Sequence, residues 1–308
     1  MSGVTAQLRD VLSSRRLADY GILLKLRLTA LFVATAGAGY YVGSGQNQGM
    51  SSGWGLVSAL FGIGSVIGGS TALNQVIERG TDARMLRTRA RPLPTHRIGV
   101  GEGLAIGTVF VIAGVAFLLF KANILTALLS LFGAVLYLVV YTPAKSRTSF
   151  STAIGALAGA MPPLLGWTAA RGRFGLEALT LSAILFLWQL PHFHSLEWFH
   201  RADYKRVGAR MLPVIEENGR WTGYIVLASS LLLVPVSLVP FYLHIASHSY
   251  RIAALVLSLT LLLFSMRFVC ALPKDNHKSE RLASELLRAS VVYLPVLFGV
   301  MVICARSR

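Results

Sequence analysis

Residues 74–94 read NQVIERGTDARMLRTRARPLP and follow about twenty residues that are almost wholly apolar and small. Asn74, Glu78 and Asp82 are spaced four apart, and positions i, i+4 and i+8 of an α-helix lie one above another on a single face. The spacing predicts one polar stripe, provided the helix continues that far. Arg79, Arg84, Arg87, Arg89 and Arg91 crowd around it, ahead of Pro92 and Pro94. A second polar cluster, WQLPHFHSLEWFHRADYKRVGARMLPV (188–214), sets Asp203 before Lys205, Arg206 and Arg210, and a third stretch, YTPAKSR (141–147), adds Lys145 and Arg147. Carboxylates and cations together suit a phosphorylated substrate. A hard cation such as Mg²⁺ takes oxygen ligands, often one or two carboxylates plus the substrate's own phosphate oxygens, and Arg and Lys complement the same phosphates directly. The plain alternative is a solvated loop in which Glu78 and Asp82 pair with Arg79, Arg84 and Arg87. A second acidic cluster weighs against it.

The elements that must position these residues are membrane spans. With 308 residues, 54% hydrophobic and only 14% charged, and a mean hydropathy of +0.62, the chain is too apolar for an ordinary soluble domain. Stretches long enough to cross a ~30 Å hydrocarbon core recur, and nine are expected: 22–43, 54–76, 98–120, 123–141, 149–170, 176–196, 222–245, 250–272 and 287–305. Period-2 alternation is missing, which argues against a barrel. The expected fold is therefore all-α, a polytopic membrane bundle of about nine transmembrane helices around a central cavity. A polar segment, 1–21, precedes a transmembrane domain at 22–305. Lys25 and Arg27 fall in the opening turns of the first span, where long side chains can snorkel to the interface.

A net charge of +16 would ordinarily raise the question of nucleic acid. The distribution of the charge answers it. Lys and Arg in the N-terminal segment through Arg27 and in the loops after the even-numbered spans number twenty-one, against six on the other side, a strong positive-inside bias. That places the N-terminus in the cytoplasm and, with nine spans, the C-terminus across the membrane. The partner implied is a lipid bilayer and not nucleic acid. Cys270 and Cys304 approach opposite faces, too far apart to bond to each other, and read as small buried hydrophobes. Residues 1–21 are polar and the first apolar segment lacks a cleavage pattern, so no cleaved signal is expected. A short N-terminus without an Arg- and Ser-rich leader favours a bacterial inner membrane over the mitochondrial one.

Acids contribute little to topology, so Glu78 and Asp82 need a chemical reason. The two acidic clusters each follow an even-numbered span, four spans apart, and ARPLP (90–94) echoes ARMLP (209–213), as in bundles built from repeats around a central site. The three loops are expected to converge on one cavity at the cytoplasmic face. A polyanionic head there, with a long tail among helices rich in Gly and Ala, describes an isoprenoid diphosphate. Its ionisation leaves positive charge on the prenyl carbon and negative charge on the leaving group, which metal and cations stabilise where it develops. Pro162 and Pro163 in GALAGAMPPLLGW must interrupt backbone bonding, so that segment should face protein or a cavity. Gly155 and Gly159 permit close helix packing, and Trp188 and Gln189 hint at the pocket.

Taken together, NQVIERGTDARMLRTRARPLP, YTPAKSRTSFSTAIGALAGAMPPLLGW and WQLPHFHSLEWFHRADYKRVGARMLPV resemble the protohaem IX farnesyltransferases, or haem O synthases, of the UbiA-type intramembrane prenyltransferase superfamily. The resemblance runs from about residue 25 to 300. It implies transfer of farnesyl from farnesyl diphosphate to a vinyl group of haem B, with addition of water, giving a hydroxyethylfarnesyl side chain and diphosphate. It further implies Asn74, Glu78, Asp82 and Asp203 as the catalytic, metal-holding set for Mg²⁺, and Arg87, Arg91, Lys145 and Arg147 as diphosphate ligands. His192 in the PHF stretch is implied as a haem contact, and haem A synthase or oxidase assembly factors as partners. His194 and Glu197 receive no role. Many relatives carry Asp at the position of Gly80, so the number of metal ions stays open. Two rival readings remain: a prenyltransferase acting on a quinone precursor or a chlorin, and a transporter of an anionic solute, whose site should instead lie near the midplane.

Overall fold

The computed structural model describes residues 14–45, 53–272 and 276–304. Most of the expected N-terminal segment, and residue 305 at the end of the ninth span, lie outside them. In hydrocarbon a backbone N–H or C=O has no water to bond, so the chain must satisfy these groups within each segment. The described residues accordingly form helices and connecting turns, with no strand. The long elements are α1 (Ser14–Leu23), α2 (Leu26–Ser44), α3 (Gly53–Asp82), α4 (Val100–Lys121), α5 (Ile124–Ala144), α6 (Ser151–Arg171), α7 (Leu176–Phe199), α8 (Arg220–Tyr242), α9 (His248–Ala271) and α10 (Asn276–Ile303). Among the described residues eight are long and apolar enough to cross a membrane, and the bent pair α1–α2 makes a ninth if it crosses as one broken span. The chain is a polytopic membrane protein.

The first span departs from expectation. It does not run straight from residue 22: Lys25 takes a left-handed conformation (φ 45°, ψ 50°) and α1 meets α2 at 53°. Such a break strands carbonyls at the end of α1, and α3 collects them. The Gln75 amide donates to the carbonyls of Ile22 (3.0 Å) and Leu23 (2.6 Å). Lys25 Nζ reaches Asn74 Oδ1 at 3.4 Å, and Arg97 Nε contacts both oxygens of Asp19 at 3.0–3.1 Å. The opening turns are thus tied to the polar end of α3.

Lipid is as apolar as leucine, so helices associate through close packing and interhelical hydrogen bonds. Both are present. A Cβ on Gly39 would strike the carbonyl of Pro163, and one on Gly166 the carbonyl of Ala36, so α2 and α6 touch backbone to backbone. Across α3 and α4, Gly69 and Gly107 permit the same approach, a Cβ on Gly69 lying 2.7 Å from the Gly107 oxygen. Within α8–α10 hydroxyls do the joining: Ser230 meets Ser265 at 2.8 Å, Ser237 meets Ser258 at 2.9 Å, and Ser258 meets Tyr293 at 3.0 Å.

Two irregularities shape the interior. In α6 the helix breaks at Ala160, and Pro162 and Pro163 sit in the first turn of its second half, where a missing N–H costs nothing. The prolines therefore begin a helix here instead of kinking one. In α5, residues Leu136–Tyr141 form a π turn, a wider coil that often marks functional positions. The cysteines also differ from expectation. Both are free, but Cys270, near the end of α9, is exposed and Cys304, one residue past α10, is half-exposed. Gly166→Leu should prevent the α2–α6 contact, since the obstacle is backbone and cannot rotate aside, and overpacking even of side chains costs about 1–3 kcal/mol. The variant is expected to melt well below the parent in detergent, measured by thermal aggregation of the solubilised protein.

Candidate active site

α3 spans 30 residues, roughly 45 Å at 1.5 Å per residue, longer than the ~30 Å hydrocarbon core. Its end can therefore project past the hydrocarbon, and Asn74, Glu78 and Asp82 occupy those last turns on one face. Beside them lies a cavity of about 530 Å³ walled by α2, α3, α5, α6 and α7 together with the loops that follow α3, α5 and α7. No residue of α8–α10 lines it. Its inner wall is apolar, with Phe32, Ile63, Val66, Leu165 and Phe193. Its rim carries Glu78, Asp82, Arg87, Arg91 and Lys145.

Each acid at the rim is held by a cation. Lys145 Nζ meets Glu78 Oε1 at 2.7 Å, and Arg91 Nη1 meets Asp82 Oδ2 at 2.7 Å. Burial alone would lower the Lys145 pKa, but the Glu78 carboxylate, reinforced by Tyr137 and Tyr204, outweighs it and raises the amine above its ordinary value. The π turn of α5 stacks Tyr137 on Tyr141 with centroids 5.5 Å apart and leaves Lys145 Nζ 4.7 Å from the Tyr141 ring centre. Asn74 is fully buried. Its amide nitrogen donates to Thr142 Oγ1 at 3.1 Å, and it does not line the cavity. Gly80, on the last turns of α3, has open space where a Cβ would stand.

The three polar loops meet. Asp203 accepts hydrogen bonds from the backbone N–H groups of Leu86 and Arg87, both at 3.3 Å, and contacts Arg206 at 3.3 Å. Arg87 Nη2 donates to the Tyr204 hydroxyl at 3.3 Å, and the Arg210 N–H donates to the Lys145 carbonyl at 2.9 Å. Asp203 thus braces the loop that carries Arg87 and Arg91, without itself lining the cavity. Arg147 is exposed and outside the cavity wall. His192 also stands apart. Its ring stacks on Trp188 at 4.9 Å and its Nδ1 lies 2.8 Å from Ser290 Oγ on α10, so a haem contact by His192 requires the acceptor on the α7–α10 side. Trp188 likewise turns to α10, donating to the Ser290 carbonyl at 2.8 Å, whereas Gln189 does face the cavity.

Several cavity residues had no role assigned from the sequence. Tyr137 and Tyr141 carried a usable signal, since they precede Lys145 by eight and four residues on one helical face. Tyr204 stood beside Asp203. Glu197 also carried a signal, being an acid in the last turn of α7, one residue past the expected span 176–196. Among the described residues no three of His, Cys, Asp or Glu converge on one point. Glu78 and Asp82 still offer hard oxygens one turn apart on the wall, a donor set suited to a divalent ion that completes its shell with phosphate oxygens and water.

A membrane bundle whose apolar cavity ends in carboxylates and cations at one face is built to hold a lipid tail by a polyanionic head, which is the architecture of an intramembrane prenyltransferase. The chain belongs to the UbiA prenyltransferase family, whose model matches residues 30–291. Within the family it is similar to the protoheme IX farnesyltransferase of Koribacter versatilis, 47% identical over 288 residues and covering 93% of each chain. Its fold is that of two solved structures. One, from work on digeranylgeranylglyceryl phosphate synthase in membranes, has a TM-score of 0.75 at 17% identity and covers 94% of this chain and 98% of that one. The other, a UbiA homolog from Archaeoglobus fulgidus bound to GPP and Mg²⁺, has a TM-score of 0.62 at 17% identity and covers 92% and 99%.

The Glu78–Lys145 pair makes a direct prediction. In Glu78→Gln the burial that lowers the Lys145 pKa is no longer opposed by a carboxylate, so more of the amine is uncharged at mildly alkaline pH. Labelling of Lys145 by an amine-directed reagent, followed by peptide mass spectrometry, should be several-fold faster than in the parent. An equal rate would mean that Glu78 does not hold that amine.

Proposed function

We propose that this chain transfers the farnesyl group of farnesyl diphosphate to a vinyl group of haem B, adds water, and releases haem O and diphosphate. The observation that carries the diphosphate half is the paired rim, Glu78–Lys145 and Asp82–Arg91, at the mouth of an apolar cavity. The acceptor half rests on the similarity to protoheme IX farnesyltransferases across almost the whole chain and on the three motifs. The rival transporter reading calls for charges near the midplane. Here they gather at one end.

In this reading the tail lies among Phe32, Ile63, Val66 and Leu165, and the diphosphate at the rim. Glu78 and Asp82 hold a divalent ion, as a UbiA homolog bound to GPP and Mg²⁺ makes reasonable. Asn74 supports them from behind, bonded to Lys25 and Thr142. An ion held by Glu78 and Asp82 would supply charge neutralisation for the departing diphosphate. Lys145 and Arg91 exchange their carboxylates for phosphate oxygens, and Arg87 joins them from the loop that Asp203 braces. The faces of Tyr137 and Tyr141 lie where positive charge develops on the prenyl carbon, and ring quadrupoles favour a cation. The apolar wall keeps solvent from that carbon until the new bond has formed.

The bias of basic residues towards one set of loops supports a rim and an N-terminus in the cytoplasm, and the similarity to the Koribacter versatilis relative supports the inner membrane of a bacterium. A purified-protein assay with labelled farnesyl diphosphate, Mg²⁺ and haem B tests the whole proposal: haem O and diphosphate appear together. Transfer only to an aromatic acid would replace haem as acceptor, and no release of diphosphate would end the enzyme reading. In the same assay Asp82→Asn, still inserted, should lose about 10²–10³-fold in turnover, the scale of removing one preorganised electrostatic contact. Normal turnover would take Asp82 out of the site.

A further inference from the structure

Glu197 takes no part in the rim just described. It lies in α7, is only 5% exposed, and borders the same cavity, between the rim and the apolar wall to which Phe193 and Leu196 belong. One carboxylate oxygen is accounted for: Thr152 Oγ1, from the first turn of α6, donates to Glu197 Oε1 at 2.7 Å. The other, Oε2, is buried and has no hydrogen-bond partner. Gln189, two turns away on the same face of α7, also lines the cavity and also buries an oxygen, Oε1, without a donor. Lys145 lies near enough to attract Glu197 electrostatically, but its ion pair is with Glu78 and that of Arg91 is with Asp82, so no cation bonds the second oxygen of Glu197. Burying a carboxylate in the last turn of a membrane helix is still expensive, and such groups are retained for function. Two acceptors without donors on one wall are suited to a ligand that brings O–H groups, and water is the smallest.

We propose that Glu197 is the proton acceptor for the water that completes the product, a role that rests on the transferase reading above. The terminal carbon of the vinyl group bonds to the first carbon of the farnesyl chain as the bond from that carbon to the diphosphate oxygen breaks, and the electron pair leaves with diphosphate. Positive charge then resides on the vinyl carbon next to the pyrrole ring. Water adds to it through oxygen, and a water proton passes to Glu197 Oε2. Thr152 is a positioning residue, since its hydroxyl holds Oε1 and leaves Oε2 as the carboxylate oxygen without a partner.

The test compares the parent with Glu197→Gln in detergent with farnesyl diphosphate, haem B, Mg²⁺ and ¹⁸O-labelled water, reading diphosphate release and haem products by mass spectrometry. General bases contribute about 10²–10⁴-fold, so labelled hydroxyethylfarnesyl product should fall at least about tenfold. Diphosphate release should persist, and a farnesylated product lighter by one water should take its place. An unchanged product ratio would overturn the proposal and leave Glu197 as a strut between α6 and α7. Lost diphosphate release with a raised KM for farnesyl diphosphate would also overturn it and move Glu197 into the diphosphate site. If Glu197→Gln does not insert, Thr152→Val carries the same readout: the hydroxylated share falls several-fold while release is kept, and an unaltered share sinks the idea. A parent that makes no haem product at all fails the transferase reading, and this proposal with it.

Discussion

Two ion pairs at the mouth of an apolar cavity, Glu78 with Lys145 and Asp82 with Arg91, are the constraint around which the bundle is arranged. A carboxylate or an ammonium left alone there would face a desolvation penalty of several kcal/mol. Pairing offsets part of that penalty. In the proposed function each carboxylate of these pairs would take the metal ion and each cation the phosphates.

Much of the remaining structure delivers those four side chains to one place. α3 carries the acids on its last turns, and the π turn of α5 brings Lys145 back over Tyr141. Asp203 caps the backbone at Leu86 and Arg87, fixing the arginine loop against the segment that follows α7. The break at Lys25, with Gln75 collecting the freed carbonyls, locks the entry of the chain onto the same helix end. α8–α10 form a hydroxyl-joined buttress that leaves the cavity to the earlier helices.

The cavity itself depends on small residues. Backbone contact between α2 and α6 at Gly39 and Gly166, and between α3 and α4 at Gly69 and Gly107, draws these pairs together. Gly155 makes room for the Tyr141 ring, a Cβ there lying 2.5 Å from Tyr141 Cε2, and Gly159 makes room for Gln189. The break at Ala160 between them ends one half of α6 and begins the other at Pro162 and Pro163, so the chain can change course beside the pocket without exposing unpaired backbone to lipid.

The number and character of the spans, the polar stripe of α3 and the shared face of the three loops were all legible in the sequence. Hydrocarbon thickness fixes span length, helical period fixes which residues share a face, and basic residues stay on the cytoplasmic side. None of those rules carries information about side-chain partners across helices. Tertiary structure alone decided that Asp203 braces a loop without lining the cavity, that Arg147 stays in solvent, and that His192 turns to Ser290. It also decided that Glu197, an unassigned acid in the last turn of α7, lies against the pocket with one free oxygen. The reason is geometric. Periodicity sets the angle of a residue around its own helix axis, but which neighbour or cavity that angle meets depends on how the helices pack, and glycine contacts, a π turn and a proline break set that packing.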